Sequence, residues 1–115
     1  MNKIRILDAY VECALWSSTD ENGEPLDSNY HPSDLAPECL AQMRSDVHDF
    51  VDTNADFLDG MSEDLIGHDF WLTRNRHGAG FWDRGLGDQG EALTKASHTY
   101  GEVWLYVGDD GQIYC

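Results

Sequence analysis

Apolar residues recur every three or four positions near the start of the chain, with charged residues between them. The residues with this spacing are Ile4, Leu7, Val11, Ala14 and Leu15. Such a period is typical of a helix with one buried face, so the pattern predicts an amphipathic helix over about residues 4–17. The polar stretch from Ser17 to Pro32 has no period and contains Asn22-Gly23, so it predicts a long loop.

A second apolar stripe follows Pro37, a residue that suits the first turn of a helix. Its members are Leu40, Met43, Val47, Phe50, Asn54 and Phe57. At about 100° per residue these side chains share one side, and several aspartates fall on the opposite side. The pattern predicts a second amphipathic helix that ends at Gly60.

Two further helices are predicted in the second half of the chain. Ser62 can cap a helix that runs to about Asn75, with Gly78 as the stop. Asp88 with Glu91 resembles a capping box, and this indicates a helix that ends at Gly101.

The C-terminal segment has the signature of a hairpin, because 102–107 and 112–114 flank the turn sequence Gly108-Asp-Asp-Gly. An isolated hairpin is marginal in water, so it is expected to pack on helices. The predicted fold class is therefore α+β: a mainly helical single domain over 1–115, with about four helices and a C-terminal β-hairpin. A length of 115 residues suits one domain.

Cys13, Cys39 and Cys115 are odd in number, widely spaced and without a CxxC motif. This pattern favours reduced thiols in a cytoplasm, with Cys13 and Cys39 as small core residues. No apolar run approaches the length of a membrane span, so no membrane association is expected.

The charge is strongly negative, with 22 acidic residues, seven basic residues and a net charge of −15. Anionic surfaces repel nucleic acid and anionic lipid, so a basic protein is the favoured partner. Residues 45–64 hold seven acids and no Lys or Arg: Asp46, Asp49, Asp52, Asp56, Asp59, Glu63 and Asp64. Successive aspartates on a helix lie about 4.5–6 Å apart along its axis, close to the scale of DNA phosphates. These acids are the predicted partner-binding, DNA-mimicking surface; the alternative is a solvated outer face.

The segment from His68 to Gly85 is rich in groups that can do chemistry. One interpretation is a catalytic or ligand-binding pocket with a histidine base and arginines that hold an anion, formed by His68, Arg74, His77, Asp83 and Arg84. The other interpretation places Trp71, Phe81 and Trp82 in the core, with Asp83 and Arg84 capping helix ends or pairing. No zinc-ligand spacing, complete calcium loop or phosphate-binding loop is present, so no metal or cofactor is expected.

Three stretches carry a resemblance: HDFWLTRNRHGAGFWDRGLG, ALWSSTDENGEPLDSNY and LYVGDDGQIY. Together they resemble a group of small acidic proteins encoded mainly by bacteriophages and prophages. The resemblance implies a phage protein in the host bacterial cytoplasm, acting as a non-enzymatic anti-defence or host-takeover inhibitor. Candidate partners are a nuclease, a CRISPR effector or a transcription factor. The alternatives are a small enzyme or ligand-binding protein centred on the His68–Arg84 segment, or an oligomerising accessory phage protein. The oligomeric state is left open.

Overall fold

The computed structural model describes residues 1–115 and contains five α-helices and a two-stranded antiparallel hairpin. The elements are α1 (Lys3–Ser17), α2 (Pro37–Thr53), α3 (Ala55–Leu58), α4 (Glu63–Arg74), α5 (Asp88–His98), β1 (Tyr106–Val107) and β2 (Ile113–Tyr114). Single 3-10 turns occupy Leu26–Ser28, Pro32–Asp34 and Phe81–Asp83. The predicted fold class, mainly helical α+β with a C-terminal hairpin, is confirmed. None of the helices is both long and apolar enough to span a bilayer.

Helices α1 and α4 form the central pair, and one glycine determines how closely they approach. A Cβ atom on Gly67 would collide with the Ile6 carbonyl oxygen and lie 2.8 Å from the Ala9 Cβ. An aromatic cluster fills the space between this pair and α2, with Phe50 and Phe70 stacked at a centroid distance of 4.0 Å. The result is one continuous core of 22 buried hydrophobic residues.

The predicted start of α4 is confirmed, and α5 begins at Asp88 as predicted, but the predicted side-chain cap of α5 and its end at Gly101 are wrong. The Ser62 hydroxyl accepts a hydrogen bond from the Leu65 N–H, as expected of a helix cap. Asp88 is the first residue of α5 and makes no side-chain cap, because Gly87 occupies the capping position. The helix stops at His98 because the next three N–H groups bond to carbonyls three residues back, which tightens the chain into a turn.

Helix α2 is shorter than its apolar stripe predicts, because Asn54 interrupts it. The Asn54 side chain and backbone N–H both donate to the Phe50 carbonyl, so the side chain competes for a helical acceptor. The chain then forms the single turn α3, in which Leu58 is fully buried and Phe57 is 44% exposed. The prediction of a continuous helix to Gly60 with Phe57 on its buried face is wrong. Ile4, also predicted as core, is 72% exposed in the first turn of α1.

The hairpin packs on the helices through a bridge and a disulfide. Ile113 pairs with Leu35 in an isolated parallel bridge, and the Ala36 N–H donates to the Ile113 carbonyl at 2.8 Å. Cys115 is disulfide-bonded to Cys39 in the first turn of α2. The prediction of three reduced thiols is therefore wrong for this pair, and the argument from reduced thiols to a cytoplasm no longer stands. Cys13 is free and buried, as expected, and burial raises the pKa of its thiol to about 12.

Candidate functional site

Arg74 is a structural residue at the centre of the fold. Its guanidinium is 3% exposed and lies 2.8 Å from an Asp46 carboxylate oxygen. It also donates to the Tyr10 hydroxyl and to the backbone carbonyls of Tyr100 and Gly101. All of these contacts are internal, so Arg74 joins α1, α2, α4 and the chain after α5. It is not available to hold an anionic ligand.

Asp83 and Arg84 also have structural partners. Arg84 makes two hydrogen bonds, of 2.9 and 3.0 Å, to the fully buried carboxylate of Asp69, and these raise the pKa of the guanidinium. The Asp83 carboxylate accepts a hydrogen bond from the Gly80 N–H at 3.1 Å and so caps the 3-10 turn at 81–83. The expectation that these two residues cap or pair is confirmed.

The predicted catalytic pocket is not formed. Of its five residues, His68, Arg74, His77, Asp83 and Arg84, only His77 lines one of the five main concavities of the molecule. Trp71 and Phe81 are buried, which confirms the core interpretation for these two side chains. Trp82 departs from it, because its side chain is exposed at the turn. The segment as a whole holds the core together and offers no shared cavity for chemistry.

The seven acids predicted to bind a partner are called the acidic row here: Asp46, Asp49, Asp52, Asp56, Asp59, Glu63 and Asp64. Asp46 points inward to Arg74, with its side chain only 16% exposed. Asp49 is exposed but accepts a hydrogen bond from the Tyr100 hydroxyl at 2.5 Å. Burial, followed by this hydrogen bond, raises the pKa of Tyr100. Two members of the acidic row are therefore committed to the packing of α2 against the segment after α5.

Three more members of the acidic row have partners on α1 or at its start. Asp52 pairs with Lys3 at 2.5 Å, Asp64 pairs with Arg5 at 3.3 Å, and Glu63 accepts a hydrogen bond from the backbone N–H of Asn2. Asp56 and Asp59 are exposed and have no such partner. Because α2 also ends at Thr53, the acidic row is not the uniform, solvent-facing cylinder that the sequence predicts.

Most carboxylates of the whole molecule have no basic partner within it. Six of the 22 carboxylate side chains lie within 4.0 Å of a basic group, and the other sixteen do not. Those sixteen are all exposed or half-buried. Five of the seven basic side chains are used in these pairs, so only Arg44 and Arg76 lack an acidic partner. The charge that is left without an internal ion-pair partner is therefore mostly negative.

A concave surface beside the hairpin combines this charge with exposed aromatic side chains. It lies between residues 17–22 and 102–109 and is called the hairpin groove here. Two concavities of about 200 Å³ and about 480 Å³ make it up, and Thr19 and Leu105 line both. Trp104 is 78% exposed and Tyr106 is 59% exposed, and both line it.

The charged lining of the hairpin groove has one sign. Four acidic residues contribute to it: Asp20, Glu21, Glu102 and Asp109. No Lys or Arg lines either concavity. Asp20 accepts two backbone hydrogen bonds in its own turn, whereas Glu21, Glu102 and Asp109 make no ion pair. This arrangement suits a cationic partner, because aromatic rings and carboxylates both attract ammonium and guanidinium groups.

The groove between α1 and α2 is larger, about 750 Å³, but its charges are mixed. Asp8 and Glu12 line it from α1, and Arg44 and His48 line it from α2. Its mixed lining therefore favours neither a positively nor a negatively charged partner. No group of three or more His, Cys, Asp or Glu side chains is placed to hold a metal ion.

The hairpin is visible in the sequence pattern, but the groove beside it is not. The signal was the alternation of exposed Glu102, Trp104 and Tyr106 with half-buried residues between them. That alternation predicts a strand, but it does not reveal which other segment lies alongside. Residues 17–22, the far wall, are too distant in sequence to be placed by pattern.

No family model, no curated protein and no solved structure matches this chain. The resemblance to small acidic bacteriophage proteins therefore remains a prediction from the three quoted stretches.

Proposed function

We propose that this protein is a non-enzymatic binding protein that inhibits a basic, nucleic-acid-binding protein of a bacterial host. The observation that carries the proposal is the charge balance: sixteen carboxylates without a basic partner against two basic side chains without an acidic one. A surface of this kind accelerates association with a cationic groove and competes there with DNA phosphates.

The mimicry rests on the density of unpaired carboxylates and not on regular spacing along one helix. The acidic row contributes Asp56 and Asp59, whereas Asp46 is used inside the fold. The hairpin groove adds Trp104 and Tyr106, and large aromatic side chains of this type often dominate binding energy at interfaces. The favoured contact surface is therefore the hairpin groove, with the rest of the anionic surface guiding approach.

The resemblance to phage proteins supports an anti-defence or host-takeover role. Nucleic-acid-binding host proteins work in the bacterial cytoplasm, so the proposal places this protein there. In that reducing compartment the Cys39–Cys115 pair would be present largely as two thiols.

The test is competition with DNA. The protein is used to capture partners from a bacterial lysate at low and at high salt, and each purified partner is then titrated on a labelled DNA duplex. We expect capture to weaken as salt rises, because exposed charges are screened, and we expect the protein to displace the DNA. Capture that is insensitive to salt, or a partner that keeps its DNA in the presence of excess protein, would overturn the proposal.

A pair of matched variants locates the surface. Glu21→Lys with Asp109→Lys alters the hairpin groove, and Asp56→Lys with Asp59→Lys alters the acidic row. Both double variants change the net charge by the same amount, so a difference between them reports position and not total charge. We expect the first to lose capture and the second to retain it.

A further inference from the structure

The segment from Glu102 to Val107 alternates like a strand along its full length but is paired only at its end. Glu102, Trp104 and Tyr106 are exposed, while Val103, Leu105 and Val107 are half-buried and pack against the core. Only Tyr106 and Val107 pair with β2. Four residues with the side-chain pattern of a strand therefore lack a neighbouring strand.

The register of the hairpin shows which backbone groups are free. Tyr106 lies opposite Tyr114, and the Gly108 N–H donates to the Gln112 carbonyl at 2.8 Å. In an antiparallel pair the backbone groups of alternate residues point to opposite sides. Those of Tyr106 and Gly108 point to β2, so those of Leu105 and Val107 point away from it.

Other hydrogen bonds agree with this alternation, in which Leu105 and Val107 direct their backbone groups away from β2. Ile113, the partner of Val107, uses its carbonyl on the side away from β1, where the Ala36 N–H donates to it. In the segment 102–107, the Val103 N–H also points away from β2, and it donates to the Asn75 side-chain oxygen at 2.7 Å. The next N–H on that side, from Leu105, makes no hydrogen bond within the protein. A free strand edge therefore begins after Val103.

The hairpin groove lies along this segment. Asn75 lines the concavity at one end, and Asp109 lines the concavity at the other. Four acidic side chains line it, and no Lys or Arg does. Exposed Trp104 and Tyr106 stand on the face that an added strand would share.

We propose that an extended, basic segment of the partner adds as a strand to the free edge of Leu105–Val107. Its backbone pairs with Leu105 and Val107, as in other cases in which a peptide extends a sheet. On the exposed face, its Lys or Arg side chains lie across from Trp104 and Tyr106, beside the acidic lining of the hairpin groove, where ring and carboxylate contacts stabilise them. Its alternate residues are apolar and lie beside Leu105 and Val107. The inference rests on the proposed function for the charge of the segment, but the strand pairing stands on the backbone geometry alone.

The test uses a synthetic peptide as the probe, with eight residues that alternate Lys and Val. A neutral peptide with Gln in place of Lys is the control for charge. Two N-methylated forms are the controls for pairing. One carries the methyl groups on the Val amides, which would face Leu105 and Val107, and the other carries them on the Lys amides, which would face away. Affinity is measured by calorimetry, and amide hydrogen exchange of the full protein is followed by NMR.

We expect the amides of Leu105 and Val107 to exchange about tenfold or more slowly once the Lys peptide is bound. One N-methylated form should bind about tenfold more weakly, and the other should bind nearly as well as the parent. The neutral peptide should also bind about tenfold more weakly at low salt.

The outcomes separate the two proposals. No binding by the Lys peptide, unchanged exchange at both amides, or equal effects of the two methylation patterns would overturn strand addition while leaving the DNA competition result intact. Equal affinity for the Lys and Gln peptides would overturn the basic character of the segment and would also contradict the proposed function.

Discussion

The acidic row and the hairpin groove are both rich in carboxylates, but the fold uses them differently. In the acidic row, Asp46 is bound to buried Arg74 and four other members have partners of their own. In the hairpin groove, Glu21, Glu102 and Asp109 make no ion pair and stand beside exposed aromatic rings. The difference shows that a run of acids in a sequence gives the local charge, but not whether those carboxylates are free to contact a partner. The five acids that the fold uses lie on α2 and in the first turn of α4, and their partners come from Asn2, α1, α4 and the segment after α5.

The largest expected change in stability comes from breaking the ion pair between Arg74 and Asp46, a member of the acidic row. Arg74→Met should lower the free energy of unfolding by about 3–5 kcal/mol, because it leaves Asp46 and two backbone carbonyls without their donor. Arg76→Met is the control, because Arg76 is exposed and has no acidic partner; it should change stability by about 0.5 kcal/mol or less. Urea denaturation measures both, and equal effects would show that Arg74 is not structural.

The next effect concerns the attachment of the hairpin. Cys115→Ser removes the bond to Cys39, which closes a loop of 76 residues in sequence separation. Under oxidising conditions it should lower the free energy of unfolding by about 3 kcal/mol, chiefly because the unfolded chain gains freedom. With a reductant present, wild type and variant should unfold at the same urea concentration. A difference that persists in reductant would contradict this account.

The buried cluster around Arg74 also predicts how stability depends on pH. Burial raises the pKa of Tyr10 from its ordinary value of 10 to about 12. Between these two values the unfolded chain loses the phenolic proton and the folded protein keeps it, so stability present below pH 10 is lost as the pH rises to about 12. The loss should be about 2–3 kcal/mol larger in wild type than in Tyr10→Phe. Urea denaturation across this range measures it, and parallel curves would contradict the shift.

The smallest expected effect distinguishes the two regions directly. Glu21→Lys with Asp109→Lys should weaken binding of the alternating Lys–Val peptide about tenfold, or about 1.4 kcal/mol. Asp56→Lys with Asp59→Lys should change it by about twofold at most, because surface charges far from the contact are screened. Calorimetry at a fixed ionic strength measures both double variants. Equal losses would show that total charge, and not the hairpin groove, determines binding.

Much of the helical framework could be predicted from local pattern. The period of Leu7, Val11 and Leu15 sufficed for α1, and Ser62 marked the start of α4, because both signals act within a few residues. The same is true of the hairpin turn at Gly108. Asn54 shows the limit: it fell on the apolar stripe of α2, yet its side chain bonds to the Phe50 carbonyl and the helix ends there.

The site was harder to predict, because it depends on contacts between distant parts of the chain. Asp46 and Arg74 are 28 residues apart, and Cys39 and Cys115 are 76 apart, so no spacing rule connects either pair. The sequence correctly placed Asp46, Asp49 and Asp52 on one helix. It could not show that Lys3, Arg5 and Tyr100, from distant parts of the chain, contact members of the acidic row. The unpaired edge at Leu105 was hidden for the same reason, since a lack of strand partners is a property of the whole fold.

The most direct test of the central claim is an NMR titration of the ¹⁵N-labelled protein with the alternating Lys–Val peptide. Amides of residues 19–22 and 102–109 should shift progressively as the peptide binds, while those of residues 46–64 should stay in place. Shifts centred on residues 46–64, with 102–109 unaffected, would show that the acidic row is the contact surface and would contradict the account.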